Sequence, residues 1–432
     1  DRDTVREGEN ILDKALTSNP EDIELRLFKA RSLLITEGTA PSIALATSIL
    51  QKITEDQPKI AQAWILLGEI ALRQGQPTKA MDIALQGLVY QPNEKSLLLL
   101  KARAEAVRSP ALAIPTIKAL RELDPNDADV VVYLANTYLA ANQFQEAVNL
   151  LKAQLAFCSG TPDERKINIA LAVAWHKNGS KPEAQEIFNS LYQSEPNDPA
   201  PLLAQARLLK DDQLWNQLIQ MVSHWCQNHP EDTRTPIAIA GDLAATENSQ
   251  AKKTSEDILR MTLENDSNCI EAMGALAMLL QTTGRPAESA VLYQQILALQ
   301  PDDVIAINNL AWILCEENSK YQQALELVQR GLKIAPDYID LIDTRGVVYY
   351  KLGQYDKAVQ DFTRCLEMYP DGTPAATASY LHLGRALASL RQKDKAIENL
   401  KKTLELNTKT SSLSAADLAD AQRLLEELSR GG

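Results

Sequence analysis

The sequence predicts an all-α fold, a solenoid of about eleven antiparallel helix hairpins closed by a C-terminal helix. Three observations carry this. First, similar Pro-centred steps recur along the chain: "TSNPED", "VYQPNE", "ELDPND", "QSEPND", "QNHPED", "ALQPDD", "KIAPDY" and "EMYPDG". The prolines fall at Pro20, Pro58, Pro92, Pro125, Pro196, Pro230, Pro301, Pro336 and Pro370. With proline-free boundaries near Ser159, Ser267 and Thr408, the spacings run from 33 to 38 residues. A fixed period of this length marks a repeat architecture rather than a single globular core. Second, most units break at their midpoint, as in "RQGQP", "AANQF", "KNGSK", "TTGRP" and "KLGQY". Gly or Asn there stops one helix, and apolar residues recur at three- and four-residue steps on both sides. Third, hydrophobic residues make up 45% of the chain but aromatics only 5%. Cores built mainly from Ala and Leu favour close-packed helices over sheets.

The elements follow in order. Residues 1–19 read as the second helix of a truncated repeat, with Asn10–Ser18 its clearest part. Residues 20–197 form an N-terminal array, with a first hairpin that is long and irregular in its middle. Residues 198–267 are degenerate hairpins. One has "LLKDDQLWNQL" in place of a glycine turn, and the other has a polar loop in "LAATENSQAKK". Residues 268–410 form a regular C-terminal array. Residues 411–432 open on a Ser414-x-x-Asp417 capping box and continue as an amphipathic helix that covers the open end of the stack. Within Arg345–Gly372, Ile342, Gly346 and Tyr349 mark the packed face of helix A just upstream and into this stretch. Ala358, Phe362, Cys365 and Leu366 mark that of helix B. The adjacent Tyr350 turns toward the opposite face.

These units resemble the tetratricopeptide repeat. The unit from about Ala61 supplies Trp64, Leu67, Gly68, Ala80 and Pro92. The unit from Arg165 supplies Ala172, Trp175, Ala184, Phe188 and Pro196. The unit from Ile339 supplies Gly346, Tyr349, Ala358, Phe362 and Pro370, and the last unit supplies Leu383, Gly384 and Ala396. Small residues at the eighth and twentieth positions let the two helices approach, and larger ones fill the gaps between hairpins. The resemblance implies a right-handed superhelix that binds a peptide segment or partner domain along its concave face. It places Gln62, Ile65, Glu69, Leu72 and Arg73 of one unit, and Asp129, Val132, Asn136 and Leu139 of another, on that face. In the C-terminal array it places Asn308, Trp312, Glu316, Asp343, Tyr350, Lys351 and Arg385 there. Asn308, Trp312, Asp343, Tyr350, Lys351 and Arg385 are the candidate binding residues. Trp312 is the leading anchor because aromatic residues dominate binding hot spots, with packing between neighbouring helices as the competing role. The subclass that grips a terminal carboxylate is poorly matched: Asn309 fits its asparagine, but Ala378 and His382 stand where cations belong. The segment from "NNLAWIL" onward also resembles long bacterial proteins of this family, some from exopolysaccharide-export and sorting systems.

No catalytic or nucleotide-binding fingerprint occurs in the sequence, so no enzyme activity or cofactor is expected. His224, Cys226 and His229 are the densest cluster of metal-binding residue types. On a helix His224 and His229 diverge by about 140° and cannot converge on one ion. Five cysteines, an odd number without a CxxC pair, argue against a disulfide framework. The net charge of −13 disfavours nucleic acid as the main partner. The chain begins DRDTVREGEN without methionine, which reads as processing or trimming. The compartment stays open between a bacterial periplasm or envelope and the cytoplasm. Three functions are expected to compete: a protein-binding scaffold, a structural or envelope-assembly component that self-associates through its ends or convex face, with Leu413–Leu428 as the candidate apolar patch, and the recruiting domain of a larger enzyme.

Overall fold

The computed structural model describes residues 2–37, 40–316, 319–369 and 372–430. Pro370 and the "PD" of the "YPDG" boundary lie outside the described residues. Contacts divide the chain into two compact units, one built mainly from residues up to Met221 and one from Val222 onward.

Unit 1 begins with α1 (Arg2–Ser18), longer at its N-terminal end than the Asn10–Ser18 core of the pattern. It continues through α2 (Ile23–Ser32), which runs into a π-helical turn at Leu33–Glu37, and α3 (Ala40–Asp56). The hairpins α4 (Ala61–Arg73) with α5 (Pro77–Tyr90), α6 (Lys95–Arg108) with α7 (Pro110–Leu123), and α8 (Ala128–Ala140) with α9 (Phe144–Cys158) follow. Then come α10 (Asp163–Lys177) with α11 (Lys181–Ser194), α12 (Ala200–Asp211), and the first half of α13 (Trp215–Asn228). Unit 2 holds the rest of α13, α14 (Arg234–Ala244) with α15 (Ser249–Asn265), and α16 (Ile270–Thr282) with α17 (Pro286–Leu299). It ends with α18 (Val304–Glu316) and α19 (Tyr321–Ile334), α20 (Ile339–Lys351) and α21 (Tyr355–Met368), α22 (Pro374–Ser389) and α23 (Lys393–Thr410), and α24 (Ala415–Arg430).

Most of the hairpins turn by the same device. One residue adopts a left-handed conformation and the next backbone N–H reaches back five residues. Gly75 (φ 69°), Gly179, Gly284 and Gly353 serve in four hairpins. The reaching bonds include Gln76 N–H to the Ala71 carbonyl (2.9 Å) and Gln354 N–H to the Tyr349 carbonyl (2.9 Å). This bond satisfies a carbonyl that the helix end leaves unpaired. The degenerate hairpin keeps the device without glycine: Gln213 takes φ 57° and Leu214 N–H bonds the Leu209 carbonyl at 2.8 Å. The hairpin of α14 and α15 instead uses Asn248, whose side chain caps α15 at Gln250 N–H and Ala251 N–H.

Within each unit successive helices pack together, and helix A of one hairpin also meets helix A of the next, as α8 meets α10 and α18 meets α20. The A helices therefore form a contiguous layer. Small residues make this packing possible. A Cβ added at Gly346 would lie 2.6 Å from a ring carbon of Phe362, which is itself fully buried. Tyr349 departs from the expected core position: it is half-buried, with Arg345 and Lys357 over its ring. Arg345 turns there because its guanidinium makes two bonds to the buried Asp361 carboxylate, at 2.8 and 2.6 Å. All five cysteines are buried free thiols, and burial pushes Cys226 up to about 11 and Cys315 up to about 12. The His224–His229 turn packs instead of converging: the His229 ring stacks on Trp225 at 3.9 Å, and the Trp225 indole donates to Asp232.

Candidate functional site

Unit 2 contains a pocket of about 340 Å³ lined by Trp312 and Glu316 from α18, Val347, Tyr350 and Lys351 from α20, Phe362 from α21, His382 and Arg385 from α22, and Asp417 from α24. It forms because three consecutive A helices and the closing helix present side chains one repeat apart. Of the six candidate residues, the fold brings Trp312, Tyr350, Lys351 and Arg385 to this pocket. Asn308 and Asp343 do not line it. They join neighbouring A helices: Thr344 donates to Asn308 Oδ1 at 2.8 Å, and Ser379 donates to Asp343 Oδ1 at 2.7 Å.

The charges at the rim are closed into pairs. Lys351 Nζ sits 3.0 Å from Glu316 Oε1. Burial works against its ammonium, but the hydrogen bond and charge of Glu316 outweigh that and hold Lys351 above the ordinary lysine value. Arg385 donates to Asp420 at 2.8 Å and to Asp417 at 2.9 Å. Burial opposes ionisation of both aspartates. For Asp417 the bonds from Ser414 and Arg385 prevail, and for Asp420 those from Arg423 and Arg385, so both carboxyls stay below the usual range. Ser414 also accepts from Asp417 N–H at 3.0 Å, the capping box that starts α24. The helix does not leave its apolar side open: Leu413, Leu424, Leu425 and Leu428 pack against a core of Leu381, Leu400 and Ala421.

Behind the rim, His382 lies against Phe362 with ring centroids 5.3 Å apart and faces Asp343 Oδ2 across 3.8 Å, too long for a hydrogen bond. Its Nδ1 is buried without a partner among the described residues. Burial drives His382 below the ordinary histidine value, against the pull of Asp343, and drives Asp343 above the ordinary carboxylate value. Trp312 packs partly on the large unit 2 core while lining the pocket, so its two expected roles coexist. Asn309 is committed internally, donating to the buried Tyr293 hydroxyl at 2.9 Å. Asp417 and Asp420 were missed as site residues, although they stand 32 and 35 residues after Arg385, about one repeat period.

Models described as tetratricopeptide repeat match residues 43–95, 107–157, 134–199, 292–326, 313–382 and 377–410, together more than half of the chain. Among curated relatives, the TPR repeat-containing protein PA4667 of Pseudomonas aeruginosa is 32% identical over 89 residues, 21% of this chain and 14% of that protein. A UDP-N-acetylglucosamine–peptide N-acetylglucosaminyltransferase of Giardia intestinalis is 30% identical over 124 residues, 28% of this chain and 8% of that protein. The chain thus spans only a small part of these relatives. Among solved structures, the Cut9–Hcn1 hetero-tetramer of the APC/C gives a TM-score of 0.39 at 13% identity, covering 96% of this chain and 93% of that one. YrrB, a TPR protein with an unusual peptide-binding site, gives 0.36 at 17% identity, covering 47% and 97%. MamA gives 0.32 at 21% identity, covering 38% and 92%. At these TM-scores the structural likenesses add no argument of their own. The repeat-by-repeat matches, in phase with the helix hairpins, establish that this chain belongs to the tetratricopeptide-repeat family.

Proposed function

We propose that this protein is a non-catalytic interaction scaffold that binds a peptide segment or partner domain on the A-helix face of unit 2, with Trp312 and Tyr350 as anchors. The observation that carries this reading is the pocket, where three A helices and α24 converge on two half-buried aromatic rings. Asn308, Asp343, Lys351 and Arg385 act in this reading by fixing neighbouring repeats in register rather than by gripping the partner. A net charge of −13 favours a protein partner over nucleic acid. The test is affinity capture by the full chain and by its Trp312→Ala and Tyr350→Ala forms, with helical circular dichroism as the folding control. Loss of the same captured protein in both folded variants supports the reading, and its retention in both overturns it.

A second reading draws on the 124-residue stretch that is 30% identical to a glycosyltransferase. In it, the repeats recruit a partner for a catalytic domain carried elsewhere in a longer polypeptide. Expression of the complete gene product and an assay for activity lost on deleting these repeats would test it.

A further inference from the structure

We infer that the unit 2 pocket selects an uncharged aromatic side chain, Trp, Tyr or Phe, presented by a partner polypeptide. This deepens the groove reading above and rests on it. The argument begins from what the pocket cannot offer. Lys351 is held by Glu316, and Arg385 is held by both Asp417 and Asp420. A partner carboxylate would have to displace one of these internal carboxylates. The exchange would form no additional ion pair and would strand an aspartate beside a partly buried wall. The lining's two carboxylates, Glu316 and Asp417, already balance its two cations, and Asp420 adds a third carboxylate on Arg385, which disfavours an acidic ligand further. An incoming ammonium would meet Lys351 and Arg385 with their counter-charges already engaged.

What remains available is apolar and aromatic. Val347 and Phe362 are buried in the pocket lining, and the Trp312 and Tyr350 rings are half-buried. The Tyr350 ring is propped from behind by Tyr355, with centroids 5.5 Å apart. Burial disfavours the charged form of His382, whose ring is tilted against Phe362. A volume of about 340 Å³ has room for one large side chain and lies at the small end of the range for ligand pockets, which starts at about 300 Å³. The tryptophans also differ in how their indole N–H is used. Trp64 donates to the Pro58 carbonyl and Trp225 to Asp232, each at 2.9 Å. The Trp312 indole has no such partner among the described residues, which leaves a donor for a partner's backbone carbonyl at the rim. Ring-to-ring contact with Trp312 and Tyr350 then supplies the specificity that the closed ion pairs do not.

The test is selection of a phage-displayed library of random twelve-residue peptides on the full chain. The enriched peptides are then measured by fluorescence anisotropy against wild type, Trp312→Ala and Tyr350→Ala. The expected result is a shared Trp, Tyr or Phe. Replacing it with Ala in the peptide weakens binding at least tenfold, the protein variants weaken it similarly, and raising NaCl from 50 to 500 mM changes it less than threefold. The peptide substitution keeps the test valid if a protein variant fails to fold. Peptides that depend on Trp312 and Tyr350 but share an acidic residue or a free C-terminal carboxylate would overturn the aromatic class and leave the groove reading standing. Peptides indifferent to both variants, or no enrichment, would overturn the groove reading and this inference together.

Discussion

In unit 1, the α6 face shows Leu99 and Val107 to solvent. At the same repeat positions in unit 2 stand Asn308 and Glu316 on α18, and Asp343 and Lys351 on α20. Both units carry polar links between successive A helices, but of different kinds. Glu69 with Arg103 and Asp129 with Lys166 are largely exposed pairs, which water and salt screen heavily. Asn308 with Thr344, Asp343 with Ser379, and Arg385 with the α24 aspartates are more enclosed, and the last of these lies at the pocket. The frame beneath is common: small residues where helices touch, a left-handed turn residue, an aromatic or leucine filling the gap. The frame positions are fixed by packing, so they repeat. The face positions bear no such constraint, so they can diverge, and the proposed recognition lies there.

Five perturbations break or sharpen this contrast. Frame residues should matter most, and alike in both units. Phe362→Ala in unit 2 and Phe188→Ala in unit 1 each remove a buried ring, with an expected loss of about 3–5 kcal/mol in urea unfolding followed by circular dichroism. A loss below about 1 kcal/mol would show that the frame tolerates a void there. Gly346→Ala should cost less, about 1–3 kcal/mol, because the new Cβ presses on a ring that is itself locked in the core. Unchanged stability would mean that the Phe362 ring can shift.

Arg385→Gln comes third, at about 1 kcal/mol, since Asp417 is partly exposed and water screens the pair. Its clearest signature is local: faster amide exchange in α24 than in α20. Acid should act the same way. Asp417 and Asp420 have carboxyls depressed below the ordinary aspartate value of 3.8. Their contribution is therefore complete above that value and is lost as pH falls through the depressed folded values. α24 should lose exchange protection below about pH 3.8 while α20 is still protected, and simultaneous loss would contradict the tether. Smallest of all, Leu99→Ser and Val107→Ser on the exposed face of α6 should change stability by no more than about 0.5 kcal/mol.

The fold was legible because its signals repeat. The hairpin period, the glycine turns and the capping box each follow from local backbone requirements. Even the hairpin without glycine kept its turn, because a single left-handed residue such as Gln213 is tolerated once the flanking helices pack. The site was less legible for a physical reason. Repeat position tells which way Trp312, Tyr350, Lys351 and Arg385 point, but not what they meet there. Whether Arg385 faces solvent or two aspartates depends on how α24 seats against α22. Whether Tyr349 is core depends on Asp361 drawing Arg345 across it. His382, which stands where the carboxylate-gripping subclass has a cation, lines the pocket wall instead, and burial there favours its neutral form.

The most direct test compares the two faces on one ligand. Anisotropy titration of the tightest selected peptide would be run against wild type, Tyr350→Ala and Val107→Ser, each checked for native circular dichroism. A recognition face confined to unit 2 predicts at least tenfold weaker binding for Tyr350→Ala and unchanged binding for Val107→Ser. Unchanged binding for Tyr350→Ala with weakened binding for Val107→Ser would place recognition on the apolar face of unit 1 and contradict the account.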